Sequence, residues 1–546
     1  MIELQWPARC ARRIARWAAI FCLGAALAGA QTKAPAPLTP GTPAPDRGQS
    51  QPKPGAQTTS RITPEQAKQL FALVDQLLQF SSQETGLPIK STVKRRLTTR
   101  AEVEKYLDEK FNDDEGAKRL ERDQIVLKKF GLLDRDFELK PFLVALLKEQ
   151  IEAYYDSKTK TVNLLDWVDA DEQKPVLAHE LTHALQDQHS DLEDWDNQTP
   201  DDVSTNAPGD TDHLQKDEMD TARDAVAEGQ ATAVMMDYVL KPLGKSLVKD
   251  PEVLDILKDQ MTGADSPVMA RAPLLLSESM LFPYKEGLSF EQDVWMDEGR
   301  DAAFAGALDR PPTSTWEVIN PRVYEKKEIP AIPLMPNIHP LVDPLYRPYD
   351  IGQVGQLDLH ILAELFGGDE AARDLTPAWN GGIYWAGQLR SATTPAEQDT
   401  TKSLALFYLS AWRNSQSAEA FARLYADNLV RKYSSVKAVQ TSAAPGRIDT
   451  GAIEQVFSTD EGPVVITRRG TLVFVAESFP LSLARRLAAL ILDDQGTGEV
   501  RTADNNRPES IYPEPAGQPL SAGLVRFFQS CGVMKAVVDA TMRAVR

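Results

Sequence analysis

Residues 176–185 constrain this chain more than any other stretch, because they place His179, Glu180 and His183 inside an apolar run. Histidines four residues apart lie one turn apart on the same face of a helix, so both imidazoles can reach one metal ion. At about 100° per residue, Leu177, Leu181 and Ala184 fall nearly opposite them. One side of the segment binds and the other packs, which requires a helix seated in a core. Glu180 stands beside His179, where a carboxylate can take a proton from a metal-activated water. With only 6 His in 546 residues, chance gives this pattern on the order of a few times per thousand such chains.

The spacing implies Zn2+, one ion per chain, with a third protein ligand and a fourth position left to water. His189 is one candidate, since it follows His183 at the interval found where a chain turns sharply after the second histidine. A glycine at 186 would permit that turn, but the residue there is Gln186. On an unbroken helix His189 would lie about 9 Å beyond His183 and roughly 120° round the axis. Glu228 is the better candidate. It sits in a second helical stretch whose Ala225, Ala231 and Thr232 are small enough to allow close approach.

A histidine–glutamate–histidine helix followed by Glu228, Gly229 and Ala231 resembles the gluzincin branch of the zincin metallopeptidases, the thermolysin-like type. The longer run 176–189, with Phe282-Pro283-Tyr284 and the segment 311–315, is similar to a group of exported bacterial proteins with this motif. The resemblance covers roughly 150–325 and implies a zincin-like core, peptide-bond hydrolysis and a peptide or protein substrate. In that reading His179, His183 and Glu228 hold zinc, and Glu180 is the catalytic base. Gluzincins often carry a carboxylate four residues after the glutamate ligand; here that position is Thr232. Asp224 and Asp187 are the candidates to orient a histidine instead. Tyr284 is the candidate for stabilising the transition state and His213 an alternative, while His339 and His360 are expected to be structural. The alternative, from another class, is a catalytically weak or inactive zincin-derived binding or scaffold protein of the cell envelope.

Compartment is set by the first residues. Arg9, Arg12, Arg13 and Arg16 precede an apolar stretch at 17–27 and the small residues Ala28, Gly29 and Ala30, the pattern of a signal peptide over 1–30. Cleavage before Gln31 would deliver an exported protein, periplasmic or extracellular, with no stable membrane insertion; the apolar stretch is well short of the roughly 20 residues a span needs. Cys10 and Cys22 would leave with the signal, so Cys531 alone remains and no internal disulfide holds the fold. The net charge of −19 becomes about −22 after cleavage, which argues against nucleic acid as a partner.

The rest is expected to be α+β and mainly helical. Residues 31–60, rich in Pro, Ala and Gln, form a disordered linker. Thr63-Pro64-Glu65-Gln66 opens an N-terminal helical region over 61–150. A catalytic core follows over 151–330, with a hairpin made of Glu152 to Tyr155 and Thr161–Leu165, the second strand being the exposed edge beside the metal helix. The C-terminal half, 331–546, is expected to hold helices at 353–366 and 403–433 and a late hairpin around Arg468-Arg469-Gly470.

Overall fold

The computed structural model describes residues 62–495, apart from 112–113, 151–152, 196–197, 201–202, 262–265 and 440–451. The expected signal peptide at 1–30, the expected linker at 31–60 and Cys531 lie outside them. Order begins at the capping box, where Thr63 Oγ1 accepts from the Gln66 N–H and Gln66 Oε1 accepts from the Thr63 N–H. Helix α1 (Pro64–Thr85) runs from there to Gly86, whose φ of 75° ends it in a left-handed cap. Leu70, Val74, Leu77 and Leu78 are its buried face.

The N-terminal region expected to be helical also contains a strand. β1 (Lys94–Thr98) comes before α2 (Arg100–Phe111), α3 (Asp114–Phe130) and α4 (Leu139–Gln150). The strands β2 (Ala153–Asp156) and β3 (Thr161–Leu165) form the expected antiparallel hairpin. β1 then pairs in parallel with β3, from Lys94 opposite Thr161 to Thr98 opposite Leu165, giving the order β1-β3-β2. Thr161–Leu165 is therefore the middle strand, and the expectation that it is the exposed edge is corrected. β1 was hidden because its Lys94, Arg95 and Arg96 carry charge rather than alternating apolar residues. Such charges guard an edge strand against further pairing.

The central helices are α5 (Gln173–Ser190), α6 (Ala207–Lys216) and α7 (Met219–Leu240). α8 (Leu274–Phe282) passes through a π-helical turn, Pro283–Gly287, into α9 (Leu288–Glu298), and a second π-helical turn follows at Ala302–Gly306. α1, α5, α7, α8 and α9 share one apolar core with the small sheet. No described helix is long and apolar enough to cross a membrane.

The C-terminal half is built on a sheet rather than on helices. Its elements are β4 (Tyr346–Gln353), α10 (Gln356–Leu375), β5 (Trp379–Leu389), β6 (Leu404–Trp412), α11 (Ser415–Asp427), β7 (Val436–Val439), β8 (Ile453–Thr459), β9 (Gly462–Arg469), β10 (Leu472–Glu477) and α12 (Leu481–Asp494). The seven strands are antiparallel in the order β4-β5-β6-β10-β9-β8-β7. The late hairpin is β9–β10, and Gly470 turns it with φ 60°. The helix expected over 403–433 is corrected to β6 followed by α11. Every residue of β6 is buried, since Leu404, Leu406 and Tyr408 pack towards α10 and α11 while Ala405, Phe407 and Leu409 pack towards α12. A strand covered on both faces loses the alternation that marks strands. The chain is thus α+β, with a small sheet beside the central helices and a larger antiparallel one behind.

Charged groups join the halves. Lys129 Nζ of α3 donates to Glu461 at 2.9 Å, to Ser478 Oγ at 2.6 Å and to the Thr401 carbonyl at 3.2 Å. His339 Nε2 lies 3.0 Å from Asp210 of α6, and its Nδ1 is 3.2 Å from Asp343. Between the halves is a cavity of about 110 Å³ lined by Asp123, Asp217, Glu218, Asp350 and Asp358 among apolar neighbours. Glu218 accepts from the Thr315 N–H and hydroxyl, and burial together with Asp358 opposite pushes its carboxyl upward. Asp350 accepts from the Tyr384 hydroxyl at 2.7 Å, and burial pushes it up to about 7.

A carboxyl whose folded-state pKa is raised stabilises the fold below its unfolded value and loses that contribution as pH rises through the folded value. Asp350→Asn should therefore gain Tm relative to wild type between about pH 4 and pH 7, at most about 1.4 kcal/mol per pH unit. Thermal unfolding at a series of pH values checks this, and a pH-independent difference would contradict it.

Candidate metal centre

Helix α5 is hung from the small sheet by its first residue. The buried Gln173 side chain accepts from the Leu165 N–H and donates to the Leu165 and Val168 carbonyls. On the packing side, Ser81 of α1 donates to the Ala178 carbonyl at 3.1 Å, and Leu177, Leu181 and Ala184 are fully buried. This fixes the opposite face, where the His179 and His183 rings meet edge to face with centroids 4.6 Å apart.

α7 brings Glu228 to them. Its Oε2 lies 3.1 Å from His179 Nε2 and 3.6 Å from His183 Nε2, and the two ring nitrogens are 2.9 Å apart. All three residues are buried, and their ligand atoms lie within 4.8 Å of one another, an arrangement that can hold a metal ion. Glu228 Oε2 makes no hydrogen bond. A buried carboxylate oxygen facing two imidazole nitrogens, without a regular donor of its own, suits a cation. Burial raises the Glu228 pKa, but the His183 and His179 rings outweigh it and hold the carboxyl well below the usual range. Burial lowers His179 to about 4 against the opposing pull of Glu228. For His183 burial acts in the same sense, but Glu228, Glu180 and Gln186 overcome it and push the ring up to about 9.

Glu180 reaches the hairpin from beside the triad. Its Oε2 accepts from the Tyr155 N–H of β2 at 2.8 Å, and burial pushes its carboxyl up to about 8. The strand at this carboxylate is thus β2. Tyr284, on the π-helical turn, is buried and stacks on His179 with centroids 6.4 Å apart and planes 20° apart.

His189 and Asp187 are engaged away from the triad. α5 continues unbroken to Ser190, and His189 Nε2 pairs with Asp309 at 2.9 Å. Asp187 does not orient a histidine, which corrects that expectation: it accepts from the Tyr155 hydroxyl at 2.7 Å and from Lys160 Nζ at 2.7 and 3.0 Å, clamping the hairpin to α5. Asp224 is half-buried on α7. The residue that bonds His183 Nδ1 is Gln186, with Oε1 at 2.8 Å. In the sequence Gln186 stands out only as the absence of a glycine, and its place three residues after His183 is the signal of this role. His213 lies 3.6 Å from Asp217, and His360 pairs with Thr376 and Glu364.

The small residues around Glu228 serve an approach the sequence did not foretell. A Cβ on Gly229 would come within 2.3 Å of the Gly287 carbonyl oxygen, and one on Gly287 within 2.1 Å of that of Ala225. α7 and the Pro283–Gly287 turn therefore touch backbone to backbone, which holds Tyr284 and Glu228 in one register. Gly229→Ala should cost about 1–3 kcal/mol of stability through overpacking and weaken metal binding by displacing Glu228. Denaturant unfolding checks this, and an unchanged midpoint would contradict the close approach.

No family model, no curated protein and no solved structure matches this chain, so its function is argued from the geometry of the site.

Proposed function

We propose that this chain is an exported zinc metallopeptidase with a zincin-like core of the gluzincin type, hydrolysing peptide bonds of a peptide or protein outside the cytoplasm. The observation that carries the reading is the meeting of His179, His183 and Glu228 from two helices beside Glu180. Two ligands about 2.0–2.1 Å from zinc at a tetrahedral angle lie roughly 3.3 Å apart. The separations of 2.9, 3.1 and 3.6 Å among these atoms bracket that value. Two nitrogens and one oxygen are a donor set zinc accepts in catalytic sites.

Zinc bound there supplies Lewis acidity to a water and to the scissile carbonyl. The chain's own part is proton handling and orientation. Glu180 takes the proton from the attacking water and returns it to the leaving amine. Burial pushes its carboxyl upward, towards the range that a group passing a proton near neutral pH needs. The Tyr155 N–H fixes the carboxylate that does this. Tyr284, stacked on His179, is the candidate to meet the developing oxyanion. With Thr161–Leu165 enclosed between its neighbours, an extended substrate joining this sheet would lie along the outer side of β2.

Purified protein should carry about one zinc per chain. His179→Ala, His183→Ala and Glu228→Ala should each lose it, while His189→Ala retains it. Glu180→Gln should keep zinc and lose cleavage of a mixed peptide library by about 10²–10⁴-fold. Metal content by elemental analysis, with mass-spectrometric readout of the library, checks both. Zinc that survives His179→Ala would overturn the site, and zinc without any cleavage would favour the binding or scaffold protein.

A further inference from the structure

Two glutamines lie wholly buried on the helices that carry the triad. Gln186 follows His183 by three residues on α5, and Gln230 follows Glu228 by two on α7. A primary amide is tolerated in a core when both its ends are bonded. Here each end can be assigned from backbone groups whose roles are fixed. The Ala303 and Phe304 carbonyls, in the π-helical turn Ala302–Gly306, lie 2.9 and 3.0 Å from one end of the Gln230 amide. A carbonyl only accepts, so that end is Nε2. Gln230 Oε1 then faces α5 and accepts from Gln186 at 2.9 Å. The same Gln186 atom lies 2.9 Å from the Ala227 carbonyl, which identifies it as Nε2. Gln186 Oε1 is left facing His183 Nδ1 at 2.8 Å, and an acceptor there requires the proton on that nitrogen. In the neutral ring His183 Nε2 then keeps its lone pair, on the side of His179 and Glu228.

We propose that Gln230 and Gln186 form a one-way hydrogen-bond relay that locks His183 in the tautomer whose Nε2 can bind metal. The relay starts at the Ala303 and Phe304 carbonyls and ends on His183 Nδ1. Gln186 is a positioning residue, acting through His183, and the inference rests on the metal reading of the triad. The relay also accounts for an amide at 186. Glycine would leave His183 Nδ1 without this acceptor. A carboxylate would accept equally well, but it could not donate to Ala227 and Gln230, and it would add a negative charge beside Glu180 and Glu228.

The test uses the full chain. Zinc affinity is measured by competition with a chromophoric chelator, and the His183 tautomer by ¹⁵N spectra of histidine-labelled, zinc-free protein in alkaline buffer, where the ring is neutral. Gln186→Leu is expected to weaken zinc about 10–100-fold and to release His183 into a mixture of tautomers. Gln230→Leu, which touches no ligand, should shift both readouts in the same direction by less. The double variant should be no weaker than Gln186→Leu alone, because both break one relay. Gln186→Glu restores the acceptor and should recover most of the lost affinity. A folded Gln186→Leu with wild-type affinity and a single tautomer would overturn the relay, while loss of zinc in His183→Ala would leave the metal site standing. If Gln186→Leu does not fold, Gln230→Leu decides, and unchanged affinity and tautomer there overturn the proposal. Zinc retained in His183→Ala would remove the metal reading and the relay together.

Discussion

Glu228 is a buried carboxylate that faces two buried imidazoles, and much of the half that carries them is arranged around that meeting. An ion taken out of water is costly unless its partners are placed to answer it. His179 and His183 are placed by α5, which is fixed at its start by Gln173 and on its packing face by α1. Glu228 is placed by α7, whose distance from the Pro283–Gly287 turn is set by glycine on both sides. Neither helix has freedom to withdraw a ligand without disturbing a packed neighbour. That rigidity is what a catalytic metal site asks of its scaffold.

The hairpin and the halves support the same arrangement from outside. Asp187, Tyr155 and Lys160 tie β2 and β3 to the far turn of α5, so the strand that bonds Glu180 cannot slide along the helix. Behind α7 the acidic cavity and the Lys129–Glu461 pair join this half to the large sheet. Glu218, Asp350 and Asp358 at the cavity are raised by burial and by neighbouring carboxylates, so the seam is most stable where these three keep their protons. Like-charged groups confined at an interface make its stability depend on pH even though they stand apart from the triad.

What could be read from the sequence was local and periodic. The His179–His183 face showed because binding and packing residues alternate at helical spacing on one segment. Glu228 showed because small residues surround it on a second helix. The late hairpin showed because Gly470 separates two apolar runs. β6 did not, since burial on both faces removes the alternation of a strand. β1 did not, since its charges mark an edge and its partner β3 lies far along the chain. Gln186 was overlooked because a buried amide has meaning only once its acceptors are known, and those come from α7 and from the turn at 302–306. The direction in which Asp187 points depends on the hairpin, which helical phase cannot report.

The central claim is that one metal ion sits between two helices, held by His179, His183 and Glu228. Anomalous X-ray diffraction from crystals grown with zinc, recorded on both sides of the zinc absorption edge, tests it most directly. The account predicts one strong edge-dependent peak in contact with His179 Nε2, His183 Nε2 and the Glu228 carboxylate, with Gln186 bonded to His183 Nδ1. A map without density between these three residues, or a peak that takes His189 as its third ligand, would contradict it.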